Sequence, residues 1–491
     1  MNRRKLIAAL SLTGALASAD ALASGILVAR FGGEHGHPTT DNPTAMYYNP
    51  AGLALKQGGF RLYIDGSLAW RSFTYDRPAE AIDYVFTGDE PQGTVNGTPP
   101  ELVGANSGEA SLFNVLGAPF IGVASDFGIK NFGAGLSFYA PFGGQSVYDK
   151  SDFTPGAPYD GFPGLQDGSQ RWWTIEGTIR SLYFTGAAAY RLPDYGLSFG
   201  VGVNLVKNEV KTVRARLGSG EDHLVTRTIG ANGDITDERL EGRADVDLSS
   251  WELALGLGVI WEPGGGHFLG FSYQSQPGFG QNSVEGKSRK YLAGGPTQEE
   301  DATLEQSYPD VFRLGWRLRD GMNEYRLFGD YARWSVFDRQ CIFNTNGNSD
   351  NCNLAELPRD WDDGFGVRGG YSRFLDDTTE IYVGAGFDST AAPDSTVEPA
   401  LFDANKISGS LGARFMLNKN EETKQADLVL AATYTQLYYF TRDIDPRPNG
   451  DGQSDVSGTP FAGSTTRRNP DSAGEYNQAV GVLNLNMEYI F

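Results

Sequence analysis

Along most of this chain, apolar and polar residues alternate with a period of two, which is the pattern of β-strands that have two different faces. The last segment is the clearest case. Its polar residues Asn484, Asn486 and Glu488 share one face. Its apolar residues share the other face and are Leu483, Leu485, Met487, Tyr489 and Phe491. We therefore predict that the chain finishes in a strand that has one apolar side.

Two interior segments, 197–205 and 251–261, repeat this alternation. Trp251 and Trp261 are ten residues apart at the two ends of one apolar face. That spacing corresponds to about 33 Å along an extended strand, and strand tilt shortens it to the height of a membrane. Tryptophans so placed are typical of the aromatic girdles of a transmembrane β-barrel.

Turn signals allow the strands to be counted. Short turns occur at 128–131, 193–195, 263–266, 319–323, 375–378 and 418–421. Longer polar stretches lie between them, at about 76–110, 144–171, 218–243, 276–304, 338–361, 389–405 and 443–472. Six short turns join twelve strands, and a first strand near 60–75 and a last near 473–491 make 14. Residues 59–491 thus predict an all-β, 14-stranded antiparallel barrel with both termini on the periplasmic side.

The N-terminus predicts export. A basic start at 3–5 is followed by an apolar stretch at 6–16, and Ala21 and Ala23 are small residues at the −3 and −1 positions of a cleavage site. A short N-terminal helix is the alternative, but the pattern favours a signal peptide at 1–23. No later run reaches the ~18 apolar residues of a membrane-spanning helix. These features leave a periplasmic, a secreted or an outer-membrane protein.

Composition favours the outer membrane. Glycine supplies 64 of 491 residues, above the ~7% of average proteins. The mean hydropathy of −0.35 agrees with a barrel, because only alternate residues of each strand face lipid. The formal net charge of −21 disfavours nucleic acid and other anionic polymers as partners.

The candidate chemistry is sparse. Cys341 and Cys352 are the two cysteines, and a disulfide that closes a polar surface loop is expected of them in an oxidising compartment. His35 and His37 form a possible metal pair, but loop histidines without a third ligand are the favoured interpretation, so we predict no metal and no cofactor. All four histidines of the chain fall outside the predicted strands, which argues against a hydrolase in the barrel wall.

Residues 24–58 lack the strand alternation and predict short helical turns and loops. Such a segment at the periplasmic end of a barrel is either a loose tail or a plug. A lumen enclosed by 14 strands is wide enough to need filling. We call this segment the hatch.

Several motifs resemble the FadL family of outer-membrane transporters. The densest match is DNPTAMYYNPAGLA at 41–54, and a second is GLSFYAPFG at 135–143. Weaker matches are AAYR at 188–191 and WSVF at 334–337. The order and spacing of these motifs extend the resemblance over essentially the whole mature chain.

The resemblance implies a mechanism and its partners. Long-chain fatty acids or other apolar molecules are captured at the extracellular loops, beyond the lipopolysaccharide, and enter a lumen pocket. The hatch blocks the direct route, with its gating turn at Asn49, Pro50, Ala51 and Gly52. A kink in the third strand provides lateral exit into the membrane. The terminal pattern of Met487, Tyr489 and Phe491 resembles the signal read by the barrel-assembly machinery.

The residues give this mechanism a physical basis in the third strand. Pro141 removes a backbone donor from a strand that has neighbours on both sides, and Phe142, Gly143 and Gly144 follow it. We expect the wall to open there, although Pro141 also fits a strand that merely ends at the extracellular rim. Lumen-facing charges can bind a carboxylate or, as the favoured interpretation, pair with one another; these are Arg61, Asp65, Glu252, Arg326, Asp330 and Arg414.

The alternative function is a structural or adhesive barrel whose long loops bind surfaces. It predicts a filled lumen that has no apolar cavity. The identity of the cargo does not follow from the sequence, because the strand registers that would define the pocket are not fixed by it.

Overall fold

Fourteen antiparallel strands close into one β-barrel in this computed structural model of the chain. The structure describes residues 30–56, 58–82, 100–153, 164–216, 222, 227–229, 235–237, 241–280, 282–291, 296–419, 426–446 and 470–491. The predicted signal peptide at 1–23 and the start of the hatch lie outside the described residues.

Five of the strands run in two segments each, and the others are continuous. The strands are β1 (Phe60–Arg77), β2 (Gly108–Ser125), β3 (Phe132–Val147), β4 (Glu176–Leu192), β5 (Leu197–Arg216), β6 (Gly242–Gly264), β7 (His267–Gln274 and Ser283–Tyr291), β8 (Gln298–Glu305 and Val311–Asp320), β9 (Asn323–Ala332 and Arg339–Phe343), β10 (Ala355–Pro358 and Gly364–Phe374), β11 (Thr379–Asp388), β12 (Lys406–Lys419), β13 (Ala426–Tyr439 and Arg442–Ile444) and β14 (Gly474–Ile490). A separate two-stranded hairpin, Arg227–Ile229 with Ile235–Asp237, lies between β5 and β6 in sequence.

The barrel closes because β14 pairs with β1. The register runs from Arg61 opposite Ile490 to Asp76 opposite Glu475, and every other strand pairs with its neighbours in sequence. The 14-stranded barrel is thus confirmed, and the last strand meets the strand that begins at Phe60, as expected. Five of the six predicted short turns join the expected strands, and the sixth lies partly outside the described residues.

The alternation of faces is also confirmed. Phe199, Val203 and Trp251 are 46%, 50% and 55% exposed on the outer surface, whereas Ser198 and Asn204 are buried towards the lumen. The outer surface is therefore apolar where the sequence pattern placed it.

The prediction of extracellular loops at 276–304 and 338–361 is wrong in part. Segments 283–291 and 298–305 form a hairpin that extends β7 and β8, and 339–343 pairs with 355–358 to extend β9 and β10. These extensions carry charged residues in cross-strand pairs, such as Lys287 with Asp301 at 2.7 Å, so they lack the apolar face by which membrane strands are recognised. Strand β3 likewise continues to Val147, beyond the predicted loop start at 144.

The helical elements are short. In the hatch they are a 3-10 turn at Gly33–His35, helix α1 at Ala45–Tyr48 and a 3-10 helix at Pro50–Ala54. The remaining 3-10 turns are Ala79–Ala81, Pro100–Ala105, Leu165–Asp167, Ser169–Trp172, Pro193–Tyr195, Pro277–Gly280, Trp334–Val336 and Pro399–Leu401. No helix in the described part of the chain has the length and apolarity to cross a membrane.

Candidate functional site

Asn49 anchors the hatch to the barrel wall. It follows α1 and caps the next 3-10 helix, where its Oδ1 accepts a hydrogen bond from Ala51 N at 3.1 Å. Its Nδ2 lies 2.8 Å from Pro38 O, 3.1 Å from Val259 O and 3.2 Å from Phe271 O. One fully buried side chain therefore joins two parts of the hatch to β6 and β7.

The turn at Pro50, Ala51 and Gly52 is buried against glycines of the wall. A β-carbon at Gly200 would lie 2.2 Å from Ala51 N, and one at Gly258 would lie 1.9 Å from Asn49 Oδ1. Within the hatch itself, a β-carbon at Gly52 would lie 2.1 Å from Thr40 O. The hatch backbone thus approaches the wall at distances that only glycine permits.

The N-terminal part of the hatch is held by polar side chains instead. Gly32 N donates to Asp65 Oδ2 at 2.5 Å, and Ser410 Oγ donates to Glu34 Oε1 at 2.5 Å. His35 Nε2 lies 2.9 Å from Glu380 Oε1. The part of the hatch at 49–52 therefore contacts the wall through close backbone packing and the Asn49 amide, and the N-terminal part contacts it through polar side chains of the wall.

The surroundings of two ionisable groups in the hatch, Asp41 and His37, shift their pKa values. Burial acts to raise the pKa of the Asp41 carboxyl, but nearby cations led by Arg317 and Lys56 lower that pKa to about 2. Burial, aided by the charge of Arg317, lowers the pKa of His37 well below its ordinary value. His37 is therefore neutral at pH 7, and its Nδ1 accepts from Thr39 N at 3.2 Å.

The lumen charges named from the sequence mostly pair with one another or with neighbours. Arg414 lies 3.4 Å from Glu380, and Arg326 lies 2.8 Å from Glu324. Arg368 bridges Asp330 and Asp388. The His35 and His37 rings have the protein partners given above, and the described residues contain no group of three His, Cys, Asp or Glu side chains that could hold a metal ion.

The wall between β2 and β3 is interrupted. These strands pair only from Phe120 opposite Tyr139 down to Ser125 opposite Ala134. Beyond that point residues 112–119 of β2 and residues 140–148 have no backbone pairing with each other, until Asp149 N bonds Ser111 O at 2.9 Å, although β2 stays paired with β1 and β3 with β4. We call this stretch the wall gap.

Pro141 lies at the lower end of the wall gap. The register of β3 with β4 shifts between Tyr139 and Phe142, so Ala140 and Pro141 form an irregularity. Five successive residues, 139–143, are buried, which breaks the alternation of a straight strand and indicates that β3 bends into the lumen. The rim interpretation of Pro141 is wrong, because β3 continues past it to Val147.

Aromatic rings fill the lumen beside the wall gap. Phe31 of the hatch packs on Phe120 and Tyr139, at centroid distances of 5.4 and 5.7 Å. Phe142 packs on Tyr183 and Tyr308 at 6.1 and 5.9 Å. The hatch thus contacts the last paired residues of β2 and β3.

A cavity of about 150 Å³ lies in the lumen, on the side of these rings away from the barrel end that holds Phe60 and Phe491. Gly143 and Gly144 line it, so it reaches the wall gap. Its apolar lining includes Trp173, Ile179, Val210, Leu304, Ile342 and Phe402. The lining also holds charged and polar side chains, and a concave site that combines apolar surface with placed polar groups is the usual form of a small-molecule site.

The other predicted residues lie outside this region. Cys341 and Cys352 form the expected disulfide. Phe491 is at the barrel seam, where its N–H donates to Phe60 O at 2.9 Å and its ring packs on Tyr489. Met487 belongs to the same strand, opposite Ile64 of β1.

Sequence reasoning missed two residues that the structure brings into the site. Phe31 of the hatch is fully buried at the foot of the wall gap. Arg71 of β1 lines the cavity and was not singled out. A charged residue within the apolar alternation of β1 is the signal that could have identified it.

A closed, even-stranded barrel with an apolar outer face, an internal plug and a lumen cavity defines a conduit-type protein of the outer membrane. The model of the family "Outer membrane protein transport protein (OMPP1/FadL/TodX)" matches residues 5–464. Because this match covers most of the chain, the chain belongs to that family.

Solved structures agree on the fold. A FadL homologue from Pseudomonas aeruginosa superposes with a TM-score of 0.70 at 16% identity, covering 96% of this chain and 98% of that chain. The toluene transporter TbuX from Ralstonia pickettii superposes with a TM-score of 0.56 at 14% identity, covering 96% of this chain and 99% of that chain. The toluene transporter TodX from Pseudomonas putida superposes with a TM-score of 0.57 at 12% identity, covering 92% of this chain and 94% of that chain. The comparison with curated proteins gave no match.

Proposed function

We propose that this protein carries apolar small molecules, long-chain fatty acids among them, passively across the outer membrane. The observation that carries the proposal is the apolar cavity above the hatch, which reaches an interrupted part of the barrel wall. The structural or adhesive alternative predicted a filled lumen, so the cavity favours transport. Relatives described as toluene transporters and a FadL homologue share the fold.

The proposed route has three parts. Cargo is captured at the extracellular loops, and it partitions into the apolar cavity at roughly 0.8 kcal/mol per CH₂ group buried. The hatch, with its turn at 49–52, closes the path to the periplasm. Cargo then leaves through the wall gap beside Pro141, Phe142, Gly143 and Gly144.

This route explains why no catalytic group is needed. The driving force is the transfer of apolar surface from water to an apolar environment, and the obstacle is the polar lipopolysaccharide layer. In this proposal both termini face the periplasm, and the barrel-assembly machinery inserts the chain by reading the strand that ends at Phe491.

Uptake measurements test the proposal. Cells that produce the protein should take up labelled palmitate or labelled toluene faster than cells that lack it. A labelled polar solute such as glucose should show no difference, which controls for general leakage. Equal uptake of the apolar probes by both strains would contradict transport, and uptake of glucose as well would contradict an intact hatch.

A further inference from the structure

Four loop segments pack together at the barrel end that lies away from Phe491, the end that faces outside the cell in the proposed function. Two of them contribute Trp173 and Phe402 to the lining of the lumen cavity. One buried apolar cluster joins three of the segments, and Ser472 Oγ of the fourth donates to Val397 O at 2.7 Å. We call the four segments the lid; they are 102–106, 168–174, 397–402 and 471–473.

The guanidinium of Arg77, at the last position of β1, holds much of the lid together. It donates twice to Asp471 O, at 3.1 and 2.8 Å, and once to Asn106 O, at 3.0 Å, and it pairs with Asp222. Its carbon lies 5.1 Å from the centre of the Trp173 ring, and the side chain is buried. One side chain therefore contacts three of the four lid segments.

A second buried arginine, Arg171, fastens the lid from within. Its Nη1 donates to Ala105 O, and its Nε and Nη2 lie 3.1 and 3.2 Å from the two carboxylate oxygens of Glu241, the residue before β6. Ser169 Oγ of the same segment donates to Gly108 O of β2 at 2.9 Å. The lid is thus tied to the wall at the ends of β1, β2 and β6.

The lid is joined differently from the wall. Among the described residues, no backbone hydrogen bond joins one lid segment to another, whereas the wall strands are joined by backbone ladders. The lid segments are joined instead by side chains, Arg77 above all, and by apolar packing. The segments can therefore separate from one another without any change in strand pairing.

We propose that the lid is the entrance gate of the conduit and that Arg77 keeps this gate closed. An apolar molecule at the loops enters by separating the lid segments, and its surface replaces the apolar contacts that Trp173 and Phe402 lose. The hatch stays docked during this step, so entry and hatch movement are separate events. This inference rests on the proposed function and adds a second closed point to the route.

A cysteine placed in the cavity measures how often the lid opens. Val210 of β5 is buried and lines the cavity, so a thiol in Val210→Cys lies behind the lid. The two native cysteines form a disulfide and leave no other thiol to react. A bulky, membrane-impermeant maleimide added to cells should label this thiol slowly. With Arg77→Met added, labelling should be roughly tenfold faster, because bonds from a charged donor are lost.

Arg77→Lys distinguishes a residue that joins loops from a simple ion pair. Lysine keeps the charge beside Asp222, but one ammonium does not reproduce the forked donors that reach Asp471 O and Asn106 O together. Labelling in Arg77→Lys should therefore be nearly as fast as in Arg77→Met. The control is Arg333→Met, because Arg333 pairs with Asp310 outside the lid, and its labelling should match the parent. A heat-shift assay on electrophoresis gels verifies that each variant is a folded barrel.

Uptake by the same cells links the lid to entry. Initial uptake of labelled palmitate should rise in Arg77→Met, and labelled glucose should stay excluded because the hatch is still docked. Ser472→Ala removes only the bond to Val397 O and should give a smaller rise in both labelling and uptake. It serves as the second variant if Arg77→Met does not fold.

The outcomes separate this inference from the proposed function. If the wild type takes up palmitate but folded lid variants are labelled no faster than the parent, the inference alone is overturned. Faster labelling with unchanged uptake of palmitate would also overturn it, because the lid would then lie off the route of the cargo. A wild type that takes up neither palmitate nor toluene would overturn both.

Discussion

Replacing Gly200 with alanine should loosen the hatch. Gly200 of β5 faces the lumen, and an added β-carbon would lie 2.2 Å from Ala51 N and 2.3 Å from Pro50 C. These are backbone atoms of a buried turn, so they cannot rotate aside as a flexible side chain would. The hatch must therefore shift away from the wall.

The expected magnitude follows from a matched control. Gly202→Ala is on the same strand and the same face, where the nearest atom to a new β-carbon is Ala187 Cβ at 3.6 Å, an ordinary contact. Overpacking costs roughly 1–3 kcal/mol. Alanine in place of a strand glycine gains roughly 0.5–1 kcal/mol from reduced backbone entropy. That gain is common to both variants and cancels in their comparison. They should therefore differ by the overpacking cost alone, roughly 2 kcal/mol in hatch docking, which is about a 30-fold change in the population of the displaced hatch.

Single-channel recording in planar bilayers measures this population. Gly200→Ala should show frequent ion-conducting openings, while Gly202→Ala should stay as closed as the wild type. A second pair on β6 repeats the test, since Gly258→Ala meets Asn49 Oδ1 at 1.9 Å and Gly256→Ala meets nothing closer than 4.0 Å. Indistinguishable traces within both pairs would refute the idea that wall glycines seat the hatch.

Three further predictions concern other contacts. Asn49→Ala removes the donor to three carbonyls, so protease should cut the hatch faster than in a Thr39→Ala control; equal rates would contradict the anchoring role. The pKa of Asp41 is about 2, below its ordinary 3.8, so the ionised carboxylate stabilises the docked hatch above about pH 4. This stabilisation is lost as the pH falls towards 2, and conductance should then rise. Asp41→Asn should abolish this pH dependence of the conductance. Cys341→Ser with Cys352→Ser should expose the loop between them to protease, through the loss of a cross-link worth roughly 2–4 kcal/mol, while melting of the barrel stays unchanged.

The strand count was predictable from the sequence because membrane strands have a strict physical pattern. Lipid selects apolar residues at alternate positions, and short turns between strands need turn-forming residues such as those at Pro193–Tyr195. The extensions of β7 to β10 were not predicted, because charged cross-strand pairs such as Arg289 with Glu299 replace the apolar face there. Length and hydropathy alone do not distinguish such segments from loops.

The site was predictable only in part. Pro141 was named because a missing backbone donor is a local property that a sequence displays, and Asn49 was named because its motif resembles the hatch sequence of the family. The contacts of Phe31 with Tyr139 and of Arg71 with Gln145 join residues far apart in the chain, and they depend on barrel registers that the sequence does not specify. The high glycine content of the chain is evident from the sequence. Which of these glycines lie in the wall and face the hatch follows only from the structure.

The position of the wall gap has a physical reason. Unpaired backbone groups are not tolerated against lipid, because the bilayer core offers them no hydrogen-bond partner. At the gap, β3 bends inward, so that residues 139–143 are buried and the free edge turns towards the lumen. There the carbonyl of Gln145 accepts from Asn114 and Arg71 instead of from a neighbouring strand. At this interruption, lumen side chains therefore substitute in part for the missing backbone pairing between β2 and β3.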